Sequence, residues 1–302
     1  MNDFNDDISY YEELVDKIYS PQALEGLSTG YSDLDSVSGG LKQGGLLILG
    51  GTTGTGKSLL ALNILVNLAK RGIQVEYHDL ENSAMISHQR LISIWTGKSR
   101  NAFVENKEMA VEAMYEYTDF ITYFDHEFLQ SKKESLFTRV SQFANVSKAR
   151  VILIDPLQSL ENELDGSKIL NEQGKYVREL KELAQKKNKT IILCHHMRKG
   201  AVRSGEWVKD LEDATEQRYQ IPSLEDMRGS GKIVDYATDV WGIVRTSGSQ
   251  TKVGRGNTLV RILKNRTGLK GDIKMFFDED TLQFHQTMKV KNDIVSNFFG
   301  GL

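Results

Sequence analysis

The sequence of 302 residues contains only one cysteine, Cys194, and three prolines. A single cysteine excludes an internal disulfide and a zinc cluster held by several thiolates. So few prolines give little indication of a rigid linker between domains. The longest apolar runs have the length of a β-strand, so no segment is predicted to span a membrane. The acidic start, Met1-Asn2-Asp3, lacks the features of a signal peptide, and we therefore expect a soluble, cytoplasmic enzyme.

Neither positive nor negative charge is present in large excess. Lys and Arg together number 38 and Asp and Glu number 41, which gives a formal net charge of −3 at pH 7. A protein that coats nucleic acid with its whole surface is strongly basic, so any contact with nucleic acid must be local. The length suits one sizeable α/β domain and leaves no room for a second full domain.

One glycine-rich stretch carries the clearest chemical signal. Gly51, Thr52, Thr53, Gly54, Thr55, Gly56, Lys57 and Ser58 fit the phosphate-binding pattern G-x-x-x-x-G-K-[ST]. An apolar run precedes this loop and a helical pattern follows it. Backbone N–H groups and the N-terminus of that helix are predicted to surround a phosphate chain. Lys57 would reach the terminal phosphates and Ser58 would hold Mg²⁺, so we expect the loop to bind a nucleoside triphosphate.

Strand-like and helix-like patterns alternate after this loop and indicate the fold class. Strands are predicted at 46–49, 74–79, 120–124, 151–155 and 190–194, and helices at 59–68, 85–95, 102–117, 134–149 and 169–186. Such alternation predicts an α/β fold in which helices cover a largely parallel sheet. A polar segment continues to residue 223, and β-like runs follow at 240–245, 258–264, 273–277 and 282–285. Before the loop, residues 9–19 predict a short amphipathic helix.

Two acidic residues follow strands of the predicted sheet. Asp155 ends the apolar strand at 151–155, where its carboxylate would hold Mg²⁺ through the water shell of the ion. Hydrolysis also requires a base near the attacking water, and Glu81 follows another strand at the same edge. We therefore predict that Asp155 is the metal-side acid and that Glu81 is the base, with Asp79 and Glu76 as alternatives to Glu81.

The strand at 190–194 runs into His195 and His196 at the same edge. A neutral hydrogen-bond donor in this position would report the presence of a γ-phosphate, and we favour His195 for that role. A purely structural histidine is the alternative.

Further segments complete a recognisable order of motifs. They include Thr29-Gly30-Tyr31 before the loop, Leu80-Glu81 after it, and two specific segments near the end, Asp226-Met227-Arg228-Gly229-Ser230-Gly231 and Lys264-Asn265-Arg266-Thr267-Gly268. This order resembles the RecA-type motor domain of hexameric replicative DNA helicases, the DnaB-type and bacteriophage primase-helicase family, over residues 24–286. The resemblance implies a RecA-like P-loop NTPase core with a mainly parallel central sheet flanked by helices, plus a short N-terminal linker helix.

The resemblance also implies roles for residues outside the loop. Arg266 matches an arginine finger that enters the nucleotide site of the neighbouring subunit, and Lys264 matches a second cation near the γ-phosphate. Arg245 matches an arginine that stacks on the nucleotide base. Phe277 falls near an aromatic residue that closes the other side of the base, and Phe276 is the alternative.

The polar segment after His195 resembles a loop that contacts DNA in the central channel of the ring. Arg198, Lys199 and Arg203 would contact phosphates there, and Lys168 is a further candidate. The segment departs from the family by its length and by its interspersed acidic residues, so a solvated loop of mixed charge is the alternative.

The sequence predicts three segments. Residues 1–23 would form a linker helix that packs on the adjacent subunit, residues 24–288 the motor domain, and residues 289–302 a tail. Packing of the helix on its own subunit is the alternative. Members of the family usually carry an N-terminal primase or collar domain, and the short segment before the match favours a stand-alone motor.

The expected function is an ATP-dependent, ring-shaped replicative DNA helicase that translocates on single-stranded DNA and unwinds duplex DNA. The resemblance implies ATP or another NTP as substrate, Mg²⁺ as cofactor and a homo-hexamer. Its partners would be single-stranded and forked DNA and a primase, polymerase or loader of the replisome. The stand-alone pattern favours a bacteriophage protein in the host cytoplasm. Two alternatives remain open, a RecA/RadA-type recombination ATPase and a KaiC-like oligomeric regulatory ATPase.

Overall fold

The computed structural model describes residues 9, 11–12, 15, 26–130, 133–161, 169–197, 207–209, 218–220, 222–227, 231–245, 258–266 and 268–286. Eleven strands occur in this part of the chain. They are β1 (Leu46–Gly51), β2 (Val75–Asp79), β3 (Ile121–Asp125), β4 (Val151–Asp155), β5 (Thr190–His196), β6 (Trp207–Lys209), β7 (Arg218–Gln220), β8 (Asp239–Arg245), β9 (Thr258–Asn265), β10 (Gly271–Phe277) and β11 (Phe284–Gln286). β6 and β7 pair with each other, and the others form one 9-stranded sheet.

The large sheet has the order β11-β10-β9-β8-β1-β5-β4-β2-β3. The strands from β8 to β3 are parallel, and β9, β10 and β11 extend the sheet in antiparallel fashion. Every residue of β1 and of β4 is buried, as expected of parallel strands covered on both faces. The carboxyl ends of the parallel strands share one edge, and β1 lies near the middle of that edge. The α/β class predicted from the sequence is confirmed.

Helices cover both faces of the sheet. They are α1 (Ser32–Ser38), α2 (Lys57–Ala69), α3 (Ala84–Thr96), α4 (Arg100–Glu105), α5 (Lys107–Thr118), α6 (His126–Leu129), α7 (Leu136–Val146), α8 (Ile169–Lys187) and α9 (Gly231–Tyr236). On one face, residues of α2, α3 and α5 form a buried core that includes Leu60 and Leu91. On the other face, residues of α7 and α8 form a second core that includes Val140 and Val177. The two cores hold the sheet between them.

The prediction of one continuous helix at 102–117 is wrong. The structure has two helices there, α4 and α5, which are separated at Asn106. Asn106 has extended backbone angles, φ −137° and ψ 92°, and its side chain accepts a hydrogen bond from the backbone N–H of Met109 at 3.2 Å. Asparagine is a favourable N-cap residue, so α5 begins here although the apolar pattern is continuous.

Only four residues of the predicted N-terminal helix are described. Ser9, Tyr11, Glu12 and Val15 are helical, in agreement with the prediction, and the side chains of Tyr11 and Val15 are exposed. None of the helices that the structure describes is both long enough and apolar enough to cross a membrane.

Candidate nucleotide-binding and catalytic site

The glycine-rich loop connects the end of β1 to the start of α2. Gly54 and Gly56 have φ angles of 84° and 93°, a left-handed conformation that glycine adopts without steric cost. Thr55 Oγ1 donates a hydrogen bond to the carbonyl oxygen of Thr52 at 2.8 Å, and Lys57 Nζ donates to the same oxygen at 3.3 Å. The buried lysine therefore lies over the loop at the N-terminus of α2, where a phosphate chain would bind.

Asp155 ends β4 beside this loop and is 1% exposed. Neither of its carboxylate oxygens has a hydrogen-bond partner among the described residues. Burial raises the pKa of this carboxyl to about 6, and the charge of Asp79 adds to the rise; the nearby Ser58 hydroxyl, which is outside normal hydrogen-bond geometry, and the charge of Lys57 oppose it. Burying a polar group without a hydrogen bond costs free energy, and a ligand bound to these oxygens would offset that cost. Two carboxylate oxygens next to a serine hydroxyl are the oxygen ligands that Mg²⁺ prefers.

The raised pKa of Asp155 predicts how stability depends on pH when no metal or nucleotide is bound. The carboxyl binds its proton more tightly in the folded chain than in the unfolded one, so protonation stabilises the fold. This contribution is lost as the pH rises from 3.8 to about 6. We expect Asp155→Asn, which cannot ionise, to raise the thermal midpoint at pH 7 by removing a cost of at most about 3 kcal/mol.

Thermal unfolding of wild type and Asp155→Asn between pH 4 and 7, without Mg²⁺, tests this expectation. The midpoint of the variant should fall less steeply with pH than that of wild type. Some slope should remain, because burial also raises the pKa of Asp239 to about 6. Equal slopes for the two proteins would contradict the expected burial cost at Asp155.

Of the three acids considered as the base, Glu81 has the accessible carboxylate. It lies in the turn after β2, with 53% of its side chain exposed, and lines a cavity of about 750 Å³ together with His196. Asp79 is fully buried, and its carboxylate accepts hydrogen bonds from the same turn. Glu76 is buried, and its Oε1 is 2.5 Å from Nε2 of His78. The geometry therefore favours Glu81 over both alternatives.

The histidine that lies against Lys57 is His196 rather than the His195 expected from the sequence. His196 Nδ1 is 3.2 Å from Lys57 Nζ, and His196 Nε2 is 3.9 Å from Oε2 of Glu81. His195 is fully buried, and its Nδ1 is 2.7 Å from Nε2 of Gln158. Successive side chains of a strand point to opposite faces, so neighbouring histidines at the end of β5 meet different surroundings.

Arg245 and Phe277 lie together beside the loop. The guanidinium carbon of Arg245 is 4.6 Å from the centre of the Phe277 ring, and Arg245 Nη2 donates to the carbonyl oxygen of Gly54 at 3.3 Å. The ring of Phe284 is 4.8 Å from that of Phe277 and would lie 3.4 Å from a Cβ at Gly56. Both rings are only 3% exposed, whereas Arg245 is partly exposed, so the guanidinium is the part of this cluster that a nucleotide base could stack on.

Lys264 and Arg266 lie at the opposite edge of the sheet. Lys264 Nζ and Arg266 Nη2 both donate to the carbonyl oxygen of Asp235, near the end of α9, at 3.2 and 3.0 Å. Burial and the charge of Arg266 lower the pKa of Lys264. The end of β9 pairs with Asp239 at the start of β8, which pairs with the start of β1. Asp239 pairs with Leu47, and the loop begins four residues later at Gly51, so the end of β9 and the loop are about 13 Å apart along the strand direction.

Several residues expected from the sequence to contact DNA lie outside the described part of the chain. They are Arg198, Lys199, Arg203 and Lys168, and the tail at 289–302 lies outside it as well. Within the polar segment, the described residues include the antiparallel pair β6 and β7, which the sequence did not predict.

Sequence reasoning missed three residues of the site, His196, Phe284 and Asn63. Asn63, on α2, accepts a hydrogen bond from the backbone N–H of Phe284 at 3.1 Å and donates to the carbonyl oxygen of Leu282 at 2.9 Å. It thereby fixes the Phe284 ring near the loop. A polar residue within the apolar run of α2 was the available signal. Phe276, the alternative to Phe277, lies 6.3 Å from the ring of His285 instead.

The fold and the loop define a P-loop ATPase domain of the RecA-like class. The chain matches the model of the family described as "DnaB-like helicase C terminal domain" over residues 26–286, and it belongs to that family.

Individual proteins similar to this chain agree with that membership. The replicative DNA helicase DnaB of Mycoplasma genitalium is 27% identical over 299 residues, which cover 92% of this chain and 60% of the relative. A probable plasmid replicative DNA helicase of Chlamydia muridarum is 28% identical over 287 residues, which cover 93% of this chain and 58% of the relative. The chain thus spans about 60% of the length of these two curated relatives.

Two solved structures share the fold. The ATPase domain of G40P has a TM-score of 0.69 and 19% sequence identity, and the match covers 95% of this chain and 99% of that one. A DnaB-like replicative helicase, solved in a study of its interactions with primase, has a TM-score of 0.70 and 20% identity. That match covers 92% of this chain and 66% of the helicase. The RecA-like core implied by the sequence is therefore confirmed.

Proposed function

We propose that the chain is the ATP-hydrolysing motor of a ring-shaped replicative DNA helicase that translocates on single-stranded DNA and unwinds duplex DNA. The observation that carries the proposal is the division of the site between two edges of the sheet. The loop, Asp155 and Glu81 lie at one edge, whereas Arg266 lies at the other. Identical chains arranged in a ring would complete one site at each interface. Membership of the DnaB-like family supports the same function.

ATP binding would use both the loop and the cluster formed by Arg245, Phe277 and Phe284. Backbone N–H groups from Gly51 to Ser58 would surround the phosphates, and Lys57 would leave His196 to neutralise the terminal ones. Arg245 would stack on the base, and Phe277 would support its guanidinium from behind together with Phe284. ATP is the substrate we favour over other nucleoside triphosphates.

Hydrolysis would use the groups at the carboxyl edge. Ser58 and Asp155 would hold Mg²⁺, which offsets the negative charge of the phosphates when it is bound. Glu81 would accept the proton of the attacking water. Arg266 and Lys264 of the neighbouring chain would stabilise the charge that develops on the γ-phosphate.

His196 would contact the γ-phosphate in this scheme, because it already lies between Lys57 and Glu81. We expect His196→Ala to lower ATP turnover by about 10- to 100-fold, the effect of losing one hydrogen bond to a charged group. The thermal midpoint should change little, since the His196 side chain is only partly buried.

His195→Ala is the matched variant, and its expected result is the reverse. It should lower the thermal midpoint, because it leaves a cavity and removes the imidazole that contacts Nε2 of Gln158. Turnover measured well below that midpoint should stay closer to wild type. Loss of turnover in His195→Ala, with normal turnover in His196→Ala, would return the sensor role to His195.

The ring would be a homo-hexamer in which the helix predicted at 9–19 packs on the adjacent subunit. Tyr11 and Val15 support this packing, because they are four residues apart on one helix face and are exposed in the single chain. Single-stranded and forked DNA would be bound by Arg198, Lys199, Arg203 and Lys168. A primase, polymerase or loader would be a further partner, in the cytoplasm or, for a viral protein, in the cytoplasm of the host.

The proposal is tested by measuring the rate of ATP hydrolysis with and without single-stranded DNA. A translocating motor should hydrolyse ATP faster when DNA is present, and the stimulation should decline as salt rises, because the contacts are to phosphates. A rate that DNA leaves unchanged would favour a KaiC-like regulatory ATPase. Lys57→Ala, which lacks the phosphate-binding cation, is the control for contaminating activity.

A further inference from the structure

The carboxylate of Asp79 is fully buried at the end of β2 and gathers hydrogen bonds from the residues that follow it. Its Oδ1 accepts from the backbone N–H groups of Glu81 and Asn82 at 3.2 and 3.0 Å, and from Asn82 Nδ2 at 3.2 Å. Its Oδ2 accepts from the hydroxyl of Ser87, in the first turns of α3. One carboxylate thus joins the strand end, the turn and the next helix.

This turn is also tied to the strand that carries the metal-side acid. Asp79 pairs with Asp155 in the register of β2 and β4, and the backbone N–H of Leu80 donates to the carbonyl oxygen of Asp155 at 2.8 Å. The backbone N–H of Glu81 therefore bonds to Asp79, and that of the preceding residue, Leu80, bonds to Asp155. Glu81 itself lines the cavity that His196 also lines, and His196 contacts Lys57 of the loop.

The same contacts exclude Asp79 as the base itself. The carboxylate is not accessible to the cavity, and its two oxygens already accept four hydrogen bonds from the protein. A general base must reach the attacking water, directly or through one further water, and Glu81 is the acid of this turn that can.

We infer that Asp79 is a positioning residue for Glu81, because its carboxylate fixes the turn from which the base reaches the attacking water. The inference rests on the proposed function, in which Glu81 is the base. Small displacements of a catalytic group are costly, and an error of about 1 Å can lower a rate about 100-fold.

The test compares Asp79→Ala and Asp79→Asn by steady-state ATP hydrolysis, with a fluorescent ATP analogue to measure binding. Asp79→Ala frees the turn and should lower kcat about 10- to 100-fold, while KM and nucleotide affinity change by less than about threefold. Asp79→Asn should retain most of the activity. Its carbonyl oxygen can accept from the Glu81 and Asn82 N–H groups, and its amide can donate to Ser87 Oγ.

A double-mutant comparison separates positioning from a general role in folding. In a Glu81→Gln background there is no base to position, so adding Asp79→Ala should lower the residual single-turnover rate by less than about twofold. An equal fold loss in both backgrounds, or a parallel loss of nucleotide affinity, would show that Asp79 only maintains the fold and would overturn the inference.

Ser87→Ala gives a milder variant if Asp79→Ala does not fold. It removes the hydroxyl that donates to Oδ2 and should lower kcat less than Asp79→Ala, again only when Glu81 is present. A loss that persists in the Glu81→Gln background would overturn the inference. If Glu81→Gln alone hydrolyses ATP at the wild-type rate, the assignment of the base fails and the inference fails with it. A slow Glu81→Gln enzyme without coupling to Asp79 leaves the assignment intact and removes only the positioning role.

Discussion

Arg266→Ala is expected to lower ATP turnover by a factor of about 10³–10⁵ while each chain still binds ATP. The expected loss is large because an arginine finger stabilises charge that exists only in the transition state. Binding should survive because the loop, Asp155 and Glu81 lie at the other edge of the sheet from Arg266. Steady-state hydrolysis and binding of a labelled nucleotide measure the two effects separately.

Mixing Arg266→Ala with Lys57→Ala chains tests whether the finger acts on a neighbour. In a mixed ring, some interfaces pair an intact loop from an Arg266→Ala chain with an intact finger from a Lys57→Ala chain. ATP hydrolysis should therefore reappear, although neither parent is active. If Arg266 served its own chain, every site would carry one of the two lesions. Absence of hydrolysis in rings verified to contain both chains would count against isolated sites completed in trans.

Titration of Arg266→Ala into wild type resolves the remaining ambiguity of the mixing experiment. A loss of activity that is steep and non-linear in the fraction of variant would show that hydrolysis needs an unbroken circuit of sites. A linear loss, together with no complementation, would show that the finger acts within its own chain. Lys274→Ala, which removes an exposed cation from β10, is a suitable control for the loss of positive charge.

Glu81→Gln is expected to lower kcat by about 10²- to 10⁴-fold, the usual contribution of a general base. The glutamine keeps the shape of the side chain but has no basic carboxylate, so ATP should bind and remain unhydrolysed. The loop and Asp155 are unchanged, and nucleotide affinity should therefore stay close to that of wild type. Single-turnover hydrolysis and binding of a labelled nucleotide provide the measurement.

Glu127→Gln is the matched control for this variant. Glu127 lines the same cavity as Glu81, and the substitution removes the same charge. Its turnover should stay near the wild-type value. Equal losses in the two variants would indicate a general electrostatic effect of the cavity, and a Glu81→Gln enzyme with the wild-type rate would show that Glu81 is not the base.

The sheet was predictable because its central strands carry a strong pattern. Strands buried on both faces consist of continuous apolar residues, and 151–155 was predicted with the bounds that β4 has in the structure. The break at Asn106 was not predictable from apolar periodicity, since a side-chain cap and not a change of pattern starts α5. The pair β6 and β7 was hidden in a polar segment without alternation.

The candidate site was predictable where a motif fixes the backbone. It was less predictable where the role of a residue depends on which face of the sheet its side chain occupies. The loop from Gly51 to Ser58 is defined by its glycines, and Asp155 by its strand. His195 and His196 differ by one position along β5, and a shift of one residue reverses the face of a strand. Phe284 comes close to the loop because its backbone N–H and the carbonyl oxygen of Leu282 bond to Asn63, more than 200 residues away in the chain, and local patterns do not encode such contacts.

Strand displacement on a forked DNA duplex distinguishes a helicase from other DNA-stimulated ATPases. Wild-type rings supplied with ATP and Mg²⁺ should release the labelled strand, whereas Lys57→Ala rings, which lack the phosphate-binding cation, should release none. Displacement should require hydrolysis and a single-stranded tail on which the ring can load. Rings that hydrolyse ATP in a DNA-stimulated manner but leave the fork intact would contradict the helicase function and favour a recombination ATPase.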